Sequence, residues 1–306
     1  MIPAPYMLLN PGTLLYVGDC REVLPSLREG SVDLLIADPP FNIGVAYGSW
    51  DDSLPHAEYM KFTYEWIDEC CRVLRPGGTL WLHCPHSLVS EADVYVKGKG
   101  WERLNLVVWS YRFGQHTEGR FIDAACFGLY FVKPGGVRTW NPKDVLVPSD
   151  RASKYGDART QQKAKGTAGM RVPLSMWGSE GDGGFGWGRV TGNSKERRPL
   201  HQNQLPEVYL ERIIKATTNP GDLVLDPFAG SGTSSTVARV LQRRSITIEI
   251  DPALAASAWE RIEKGAVRVE RQEPMPLLDI PGVLEPPPVA EACVAPEDYA
   301  HGSAAE

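Results

Sequence analysis

The chain has 306 residues, of which 42% are apolar and 23% are charged, and its formal net charge is -6 at pH 7. This content can bury a full hydrophobic core and suits one large α/β domain with an inserted module. The sequence contains no apolar run of the roughly 18 residues that a membrane span needs, and no basic region precedes the short apolar stretch near its start, so we expect a soluble, cytoplasmic protein.

Short apolar runs and helical segments alternate along the first part of the chain. Strands are predicted at residues 14–17, 32–37, 79–82, 104–109 and 127–132, and helices at residues 21–27 and 55–74. This alternation predicts a mostly parallel sheet that is covered by helices on both faces. Cys70 and Cys71 lie on the longer predicted helix, and the six cysteines include no C-x-x-C pair, so we expect reduced core thiols.

The strand predicted at residues 32–37 stops at Asp38-Pro39-Pro40-Phe41. Two prolines cannot continue a strand ladder, and they fix a turn in which Asp38 and the neighbouring carbonyls face outward at the carboxyl end of the strand. Open α/β sheets bind ligands at that edge. An acidic acceptor, a carbonyl and the ring of Phe41 would suit a planar base that carries an exocyclic amino group. Taken alone, the motif is equally consistent with a simple sharp turn.

Two segments after this motif also bear on the site. The long loop at residues 44–55 follows Phe41 and is placed to close over the site. His83-Cys84-Pro85-His86 resembles a set of metal ligands but has no second ligand pair at a suitable spacing. We therefore interpret it as a strand end near the active-site edge and expect no metal site.

Residues 133–198 form the least regular and most basic part of the chain. They contain 13 Lys and Arg against 6 Asp and Glu, in a chain whose overall charge is negative. Aromatic residues are interleaved with these cations, namely Trp140, Tyr155, Trp177, Phe185 and Trp187. This combination is typical of surfaces that hold nucleic acids, although a solvated insertion with a small local core around residues 172–177 is the alternative.

A second motif follows the strand predicted at residues 223–226. Asp226-Pro227-Phe228-Ala229-Gly230-Ser231-Gly232 leads into a helix predicted at residues 233–241, a layout that brings bare backbone and a helix N-terminus close to a ligand. The loop lacks the Lys of a P-loop and the full dinucleotide spacing. The next predicted strand, at residues 245–249, ends at Glu249, which suits a ribose diol, or else is a solvated strand end.

The rest of the chain adds two helices, predicted at residues 206–217 and 252–264. After Arg271 the sequence has no Lys or Arg and is rich in Pro, Ala and acidic residues. We therefore expect residues 273–306 to form a disordered tail.

Together, the Asp38–Phe41 and Asp226–Gly232 motifs resemble those of the amino-directed DNA methyltransferases that use S-adenosylmethionine. With the catalytic motif first, the order is similar to the β-class permutation of that family, and the resemblance extends over residues 14–264. It implies a Rossmann-like, doubly wound, mostly parallel sheet with circularly permuted motifs. The implied organisation is a catalytic half at residues 1–132, an inserted target-recognition region at 133–198 and a cofactor-binding half at 199–272.

Shorter matches support the resemblance, and two departures qualify it. The matches are Gly18-Asp19-Cys20 after a strand, Val73–Gly78 before another strand, and Gln204-Leu205-Pro206-Glu207 at the start of a helix. Phe41 stands where the family more often has Tyr, which keeps the stacking ring but removes a hydroxyl group. His201–Pro206 replaces the usual His-Pro-x-Gln-Lys-Pro, so the role of that loop stays open.

The resemblance assigns roles residue by residue. The catalytic residues would be Asp38, Pro39, Pro40 and Phe41, and the S-adenosylmethionine-binding residues would be Asp19, Cys20, Asp226, Phe228, Gly230, Gly232, Thr233, Ser234 and Glu249. Asp38 and the Pro39 carbonyl would accept hydrogen bonds from the two N–H groups of the target amino group, and Phe41 would stack on the flipped base.

These roles lead to three functional hypotheses. The first is adenine-N6 methylation of double-stranded DNA at specific sites, favoured by Asp rather than Ser before the prolines. The alternatives are cytosine-N4 methylation and a non-catalytic DNA-binding specificity subunit. A ring-carbon methyltransferase would need a Cys nucleophile beside its Pro motif, and none is present. No membrane partner is expected, and a homodimer and a restriction endonuclease partner stay open.

Overall fold

The computed structural model describes residues 7–9, 12–47, 49–111, 117–161, 167–178, 189–190, 194–201 and 203–270. The tail predicted at residues 273–306 lies outside the described residues, as do Phe185 and Trp187. Within the described ranges, no helix is long and apolar enough to cross a membrane.

The fold is built on one nine-stranded sheet with the strand order β1-β2-β13-β12-β3-β6-β8-β7-β11. The thirteen strands of the described residues are β1 (Met7–Leu9), β2 (Thr13–Val17), β3 (Val32–Ala37), β4 (Ala46–Tyr47), β5 (Trp50–Asp51), β6 (Leu74–Cys84), β7 (Glu102–Ser110), β8 (Ala125–Val132), β9 (Val147–Pro148), β10 (Met170–Arg171), β11 (Met176–Trp177), β12 (Leu223–Asp226) and β13 (Arg244–Glu249). Strands β4 and β5, and strands β9 and β10, form two separate two-stranded sheets. Five adjacent strands of the nine-stranded sheet, β2, β13, β12, β3 and β6, are mutually parallel. Strand β8 runs antiparallel to both of its neighbours, β6 and β7. The predicted mostly parallel, Rossmann-like sheet is confirmed.

The described part of the chain contains eight helices. They are α1 (Cys20–Val23), α2 (His56–Val73), α3 (Val89–Gly98), α4 (Asp150–Ser153), α5 (Ala158–Gln161), α6 (Glu207–Thr217), α7 (Thr233–Val240) and α8 (Pro252–Lys264), with short 3-10 turns at Leu24–Ser26 and Pro142–Val145. The predicted helices fall within one or two residues of α2, α6, α7 and α8. The helix predicted at residues 21–27 is shared between α1 and the first 3-10 turn.

Alternation along β3 shows how the core is arranged. Leu34 and Ile36 pack with Tyr209 and Ile213 of α6 in one apolar cluster. Leu35, between them, points to the opposite face of the sheet and is also fully buried. Both faces of this central strand are therefore covered, as a parallel sheet requires.

Strand β6 is longer than predicted and absorbs the Arg75-Pro76-Gly77-Gly78 segment, which the sequence suggested was a link before the strand. The pairing of β3 with β6 shifts register between Val32 and Leu34, which accommodates this irregular stretch. Arg75 Nε donates to Asp33 Oδ1 at 2.5 Å, so an ion pair holds the stretch against β3.

Part of the basic insertion belongs to the main sheet. Strand β11 pairs in parallel with β7, and Trp177 is 6% exposed. Its ring stacks on Trp81 with a centroid separation of 5.2 Å. Trp177 is therefore a core residue, and the suggestion that it serves a nucleic-acid groove is wrong; the local-core alternative describes it better. Trp140 is half-buried against Tyr130, whereas Tyr155 is exposed.

Candidate active site

A cavity of about 690 Å³ opens at the carboxyl ends of the parallel strands. It is lined by residues that directly follow β2, β3, β6, β12 and β13. Parallel α/β sheets bind ligands at this edge. The predicted site residues that line it are Asp19, Cys20, Asp38, Pro39, Pro40, Phe41, Asp226, Phe228, Gly230, Thr233, Ser234 and Glu249. The two motifs, far apart in sequence, thus share one cavity.

The turn after β3 presents Asp38 to this cavity. Burial raises the pKa of the Asp38 carboxyl well above its usual range, and the charge of Asp226 raises it further. On the other side of the turn, the Tyr59 hydroxyl of α2 donates to the Pro40 carbonyl at 2.7 Å. Tyr59 was not identified from the sequence, because nothing in the pattern of α2 distinguishes it from an ordinary core residue.

The loop predicted to close over the site is held by a buried carboxylate. Asp52 is 2% exposed and accepts the backbone N–H groups of Asn42, Ile43 and Val45 at 2.7, 3.0 and 3.0 Å. Three such bonds fix the backbone directly after the catalytic turn. Movement of this loop stays a prediction.

Ser49 ties the same loop to the cofactor half. Its hydroxyl donates to Asp251 Oδ2 at 2.8 Å. Asp251 also caps α8 by accepting the N–H groups of Ala253 and Leu254 through its other oxygen. The catalytic loop and the last helix are therefore joined across the cavity mouth.

Aromatic rings form the wall beside Phe41. The His83 ring lies 6.1 Å from the Phe41 ring and 5.8 Å from the Trp109 ring, measured between centroids. Tyr209 Oη lies 3.2 Å from His83 Nδ1 and accepts a hydrogen bond from Trp81 Nε1 at 3.1 Å. Burial lowers the pKa of His83 to about 3, so this ring is neutral at physiological pH. The predicted place of His83 at the active-site edge is confirmed, but its partners come from distant segments that the sequence could not identify.

The glycine loop after β12 is shaped by its own carboxylates. Gly230 N–H donates to Glu249 Oε2 at 2.8 Å, and Phe228 N–H donates to Asp226 Oδ1 at 3.0 Å. Gly230 and Gly232 have φ angles of +47° and +70°, in the left-handed region that favours glycine. Glu249 therefore positions the loop in addition to facing the cavity.

The two glycines should respond differently to substitution. A Cβ at Gly230 would have Phe228 O as its nearest neighbour, at 3.9 Å, and would stand in the cavity, whereas Gly232 does not line the cavity and a Cβ there would lie 3.0 Å from Ala258 Cβ. We expect Gly230→Val to weaken S-adenosylmethionine binding, measured calorimetrically, by about tenfold or more. Gly232→Ala should instead lower the thermal stability.

A matched control for backbone strain is Gly100→Val. Gly100 also has a positive φ, +79°, but a Cβ there would meet nothing within 4 Å, and the residue does not line the cavity. It should leave cofactor affinity unchanged. Undiminished affinity in the Gly230 variant would move the cofactor site elsewhere.

A buried arginine supports the glycine loop from behind. Arg261 of α8 donates through Nη1 to Thr233 Oγ1 at 2.6 Å and to Ser231 Oγ at 3.1 Å, and through Nη2 to Glu207 Oε1 at 2.8 Å. Arg261 is 1% exposed and Glu207 is fully buried. The sequence identified Glu207 only as part of a helix start and did not identify Arg261 or the buried pair, because charged residues of an amphipathic helix usually face solvent.

The residues after β2 line the opposite end of the cavity. Asp19 caps α1, accepting Arg21 N–H at 2.8 Å and pairing with Arg21 Nη2 at 2.7 Å. Although burial opposes it, these bonds to Arg21 hold the pKa of Asp19 below its usual value. Burial raises the pKa of the Cys20 thiol far above its usual range, so Cys20 offers a neutral surface there.

Two cavity carboxyls have pKa values near neutrality. Burial raises the pKa of Glu249 to about 7 and that of Asp226 to about 6, despite the amide groups that donate to them. A bound diol or a nearby cation would favour the ionised forms and lower both pKa values. Cofactor affinity should therefore be highest above pH 7 and fall as the pH decreases through 7 and 6. Calorimetric titrations from pH 5.5 to about 8 would test this, and Glu249→Gln should remove the upper step.

This set of groups fits S-adenosylmethionine. Glu249 suits the ribose hydroxyls, the start of α7 at Thr233 and Ser234 suits a carboxylate, and Phe228 offers an apolar surface to a flat base. The acidic lining also suits the positive charge of a sulfonium. No group of side chains in the described residues could hold a metal ion.

Comparison with known proteins decides the family. A DNA methylase family model matches residues 32–260. The type II methyltransferase M.HpaI of Haemophilus parainfluenzae is 32% identical over 255 residues, which cover 81% of this chain and 74% of that protein. The chain belongs to the DNA methylase family. It is an S-adenosylmethionine-dependent DNA amino-methyltransferase of the group that modifies adenine N6 or cytosine N4.

Solved structures agree with this assignment. TTHA0409 of Thermus thermophilus, complexed with S-adenosyl-L-methionine, is 25% identical and superposes with a TM-score of 0.54 over 82% of this chain and 93% of that chain. The PvuII DNA methyltransferase, which is cytosine-N4-specific, is 16% identical and superposes with a TM-score of 0.63 over 89% of this chain and 93% of its own. The second similarity concerns the fold alone.

Proposed function

We propose that this methyltransferase acts on the N6 amino group of adenine at specific sites in double-stranded DNA. The observation that carries the proposal is the Asp38 carboxyl in the same cavity as the cofactor loop. By analogy within the family, Asp rather than Ser before the two prolines favours adenine over cytosine.

The proposed mechanism uses the groups of the turn. An exocyclic amino nitrogen is a poor nucleophile because its lone pair is delocalised into the ring. Asp38 and the Pro39 carbonyl each accept a hydrogen bond from one of its two N–H groups and so direct the lone pair toward the methyl group. The raised pKa of Asp38 makes this carboxyl a better acceptor for the proton that the nitrogen loses after methylation.

The remaining groups position the reactants. Phe41 stacks on the flipped base, with the neutral His83 ring beside it. S-Adenosylmethionine, when bound, supplies an electrophilic methyl group on a sulfonium. Glu249 and the glycine loop would hold its nucleoside part, and Thr233 and Ser234 would hold its amino-acid part. No covalent intermediate with the enzyme is needed.

The decisive experiment is to express the chain in a host that lacks DNA methylation and to digest the genomic DNA to nucleosides. Mass spectrometry should find N6-methyldeoxyadenosine in cells with the wild-type chain and none with Asp38→Ala. N4-Methyldeoxycytidine would instead establish the cytosine alternative, and neither product would favour a specificity subunit. Modification-sensitive sequencing of the same DNA would give the recognition site.

We assign DNA reading to the insertion at residues 133–198, because its basic charge lies between the two motif blocks. If it contacts phosphates, neutralising Lys163, Lys165 and Arg171 together should reduce the slope of log affinity against log salt by about one unit per lost contact. Lys163 and Lys165 lie outside the described residues. Binding titrations on a duplex at several salt concentrations would measure the slope.

The matched control neutralises three exposed cations, Lys61, Lys97 and Lys264, on α2, α3 and α8. Their loss should leave the slope unchanged. An equal effect of both sets would mean that the slope reports overall charge and that the insertion is not the DNA-binding surface. A homodimer and pairing with a restriction endonuclease stay proposals.

A further inference from the structure

The connection between β7 and β8 carries an almost fully exposed aromatic side chain next to residues that line the cavity. Phe121 is 96% exposed, and Ile122 beside it is also exposed. Their neighbours Arg120 and Asp123 line the cavity. Exposure of a whole Phe ring is unfavourable in water, so this ring has a favourable free energy of burial that the free enzyme does not use.

Hydrogen bonds and ion pairs hold the residues on either side of Phe121. Thr117 Oγ1 donates to the Arg120 carbonyl at 2.7 Å, and Arg120 forms an ion pair with Asp123. Asp123 in turn lies 3.7 Å from Nδ1 of His86, which follows β6 and also lines the cavity. Phe121 thus lies in an irregular segment between Arg120 and Asp123, two residues that line the cavity.

Two other groups of exposed apolar residues differ from Phe121 in place or shape. Val137 and Tyr155 are exposed but do not line or adjoin the cavity. Ile43 and Leu200 are exposed on the cavity wall but are not flat. Phe121 combines a planar ring, full exposure and a place next to cavity-lining residues.

We propose that Phe121 inserts into the duplex and fills the space that the flipped target base leaves. Removing a base from the stack exposes the apolar faces of the adjacent base pairs, and a planar apolar ring can cover them. This inference rests on base flipping, which is part of the proposed function, and it would hold for an adenine or a cytosine target.

The test uses a duplex that carries the recognition site found by sequencing. Phe121→Ala should lower kcat/KM on the normally paired target by about 10- to 100-fold, because stacking on the exposed base pairs is lost. It should leave S-adenosylmethionine affinity unchanged. A fluorescent base analogue at the target position should brighten on binding wild-type enzyme and brighten much less with the variant. Phe121→Trp should retain most of the activity.

A mispaired target separates insertion from ordinary docking. Because such a base is already poorly stacked and leaves the helix at lower cost, the defect of Phe121→Ala should shrink on this substrate toward that of the control Val94→Ala. Val94 is an exposed apolar residue of α3 that lies outside the basic insertion and does not line the cavity.

An equal loss on paired and mispaired targets would overturn the proposal, as would activity like wild type on both. Failure of the proposed function would look different. Wild-type enzyme would then give no methylated base at all or no brightening on either duplex.

Discussion

Asp38→Ala should lower kcat by about 100-fold or more while S-adenosylmethionine still binds. The reason is that Asp38 accepts a hydrogen bond that matters mainly in the transition state, and loss of one such group costs about 10²–10³-fold. Rate measurements under saturating cofactor and DNA, together with calorimetric titration of the cofactor, would separate the two effects.

Asp38→Asn sharpens this test. Because burial raises the pKa of Asp38 in the folded state, its ionised form disfavours folding above that pKa, and a neutral side chain of the same shape should remove the penalty. We expect this variant to be inactive yet at least as thermally stable as wild type at pH 8. Asp51→Asn, at an exposed aspartate in the adjoining hairpin that does not line the cavity, should change neither property.

If Asp38→Ala and Asp38→Asn lost folding together with cofactor binding, the simple-turn interpretation of the motif would be correct. Retention of near wild-type kcat would instead assign the acceptor role to another group.

Arg261→Met should destabilise the folded protein by about 3–5 kcal/mol, because it leaves the buried Glu207 carboxylate without its counter-ion. The same change removes the Arg261 hydrogen bonds to the hydroxyls of Ser231 and Thr233, so cofactor affinity should fall as well. Denaturant unfolding would measure the first effect and calorimetry the second.

The chain offers two matched comparisons for this variant. Lys264→Met removes an exposed cation from the same helix, where Lys264 pairs with Glu260, and should be nearly neutral because exposed pairs contribute little. Adding Glu207→Gln to Arg261→Met removes the uncompensated charge and should recover part of the stability but not the cofactor affinity. Full stability of Arg261→Met alone would show that the pair is not needed.

The sequence predicted the fold and the cavity residues well because both depend on local signals. Apolar runs that stop at Asp38 and Asp226 mark buried strands and their carboxyl ends, and parallel strands bring those ends to one edge. The helices that begin near Pro55 and Pro206 carry their own start signals.

What the sequence did not predict depends on long-range contacts. Tyr59 is tied to the catalytic turn, and Arg261 to the glycine loop, only through side chains that meet after folding. Trp177 looked like a surface aromatic because its segment is irregular, yet it completes the edge of the main sheet. Tertiary packing decides such residues, and no local pattern records it.

The pairing of β3 with β12 has a consequence for synthesis of the chain. Asp33 Oδ2 accepts the N–H group of Leu223, a residue 190 positions later. At roughly 5–20 residues per second, the ribosome needs about 10 to 40 s to make that partner strand. During this interval one edge of β3 has no mate and is open to pairing with other nascent chains. The nascent catalytic half therefore stays both inert and prone to aggregation until the cofactor half emerges.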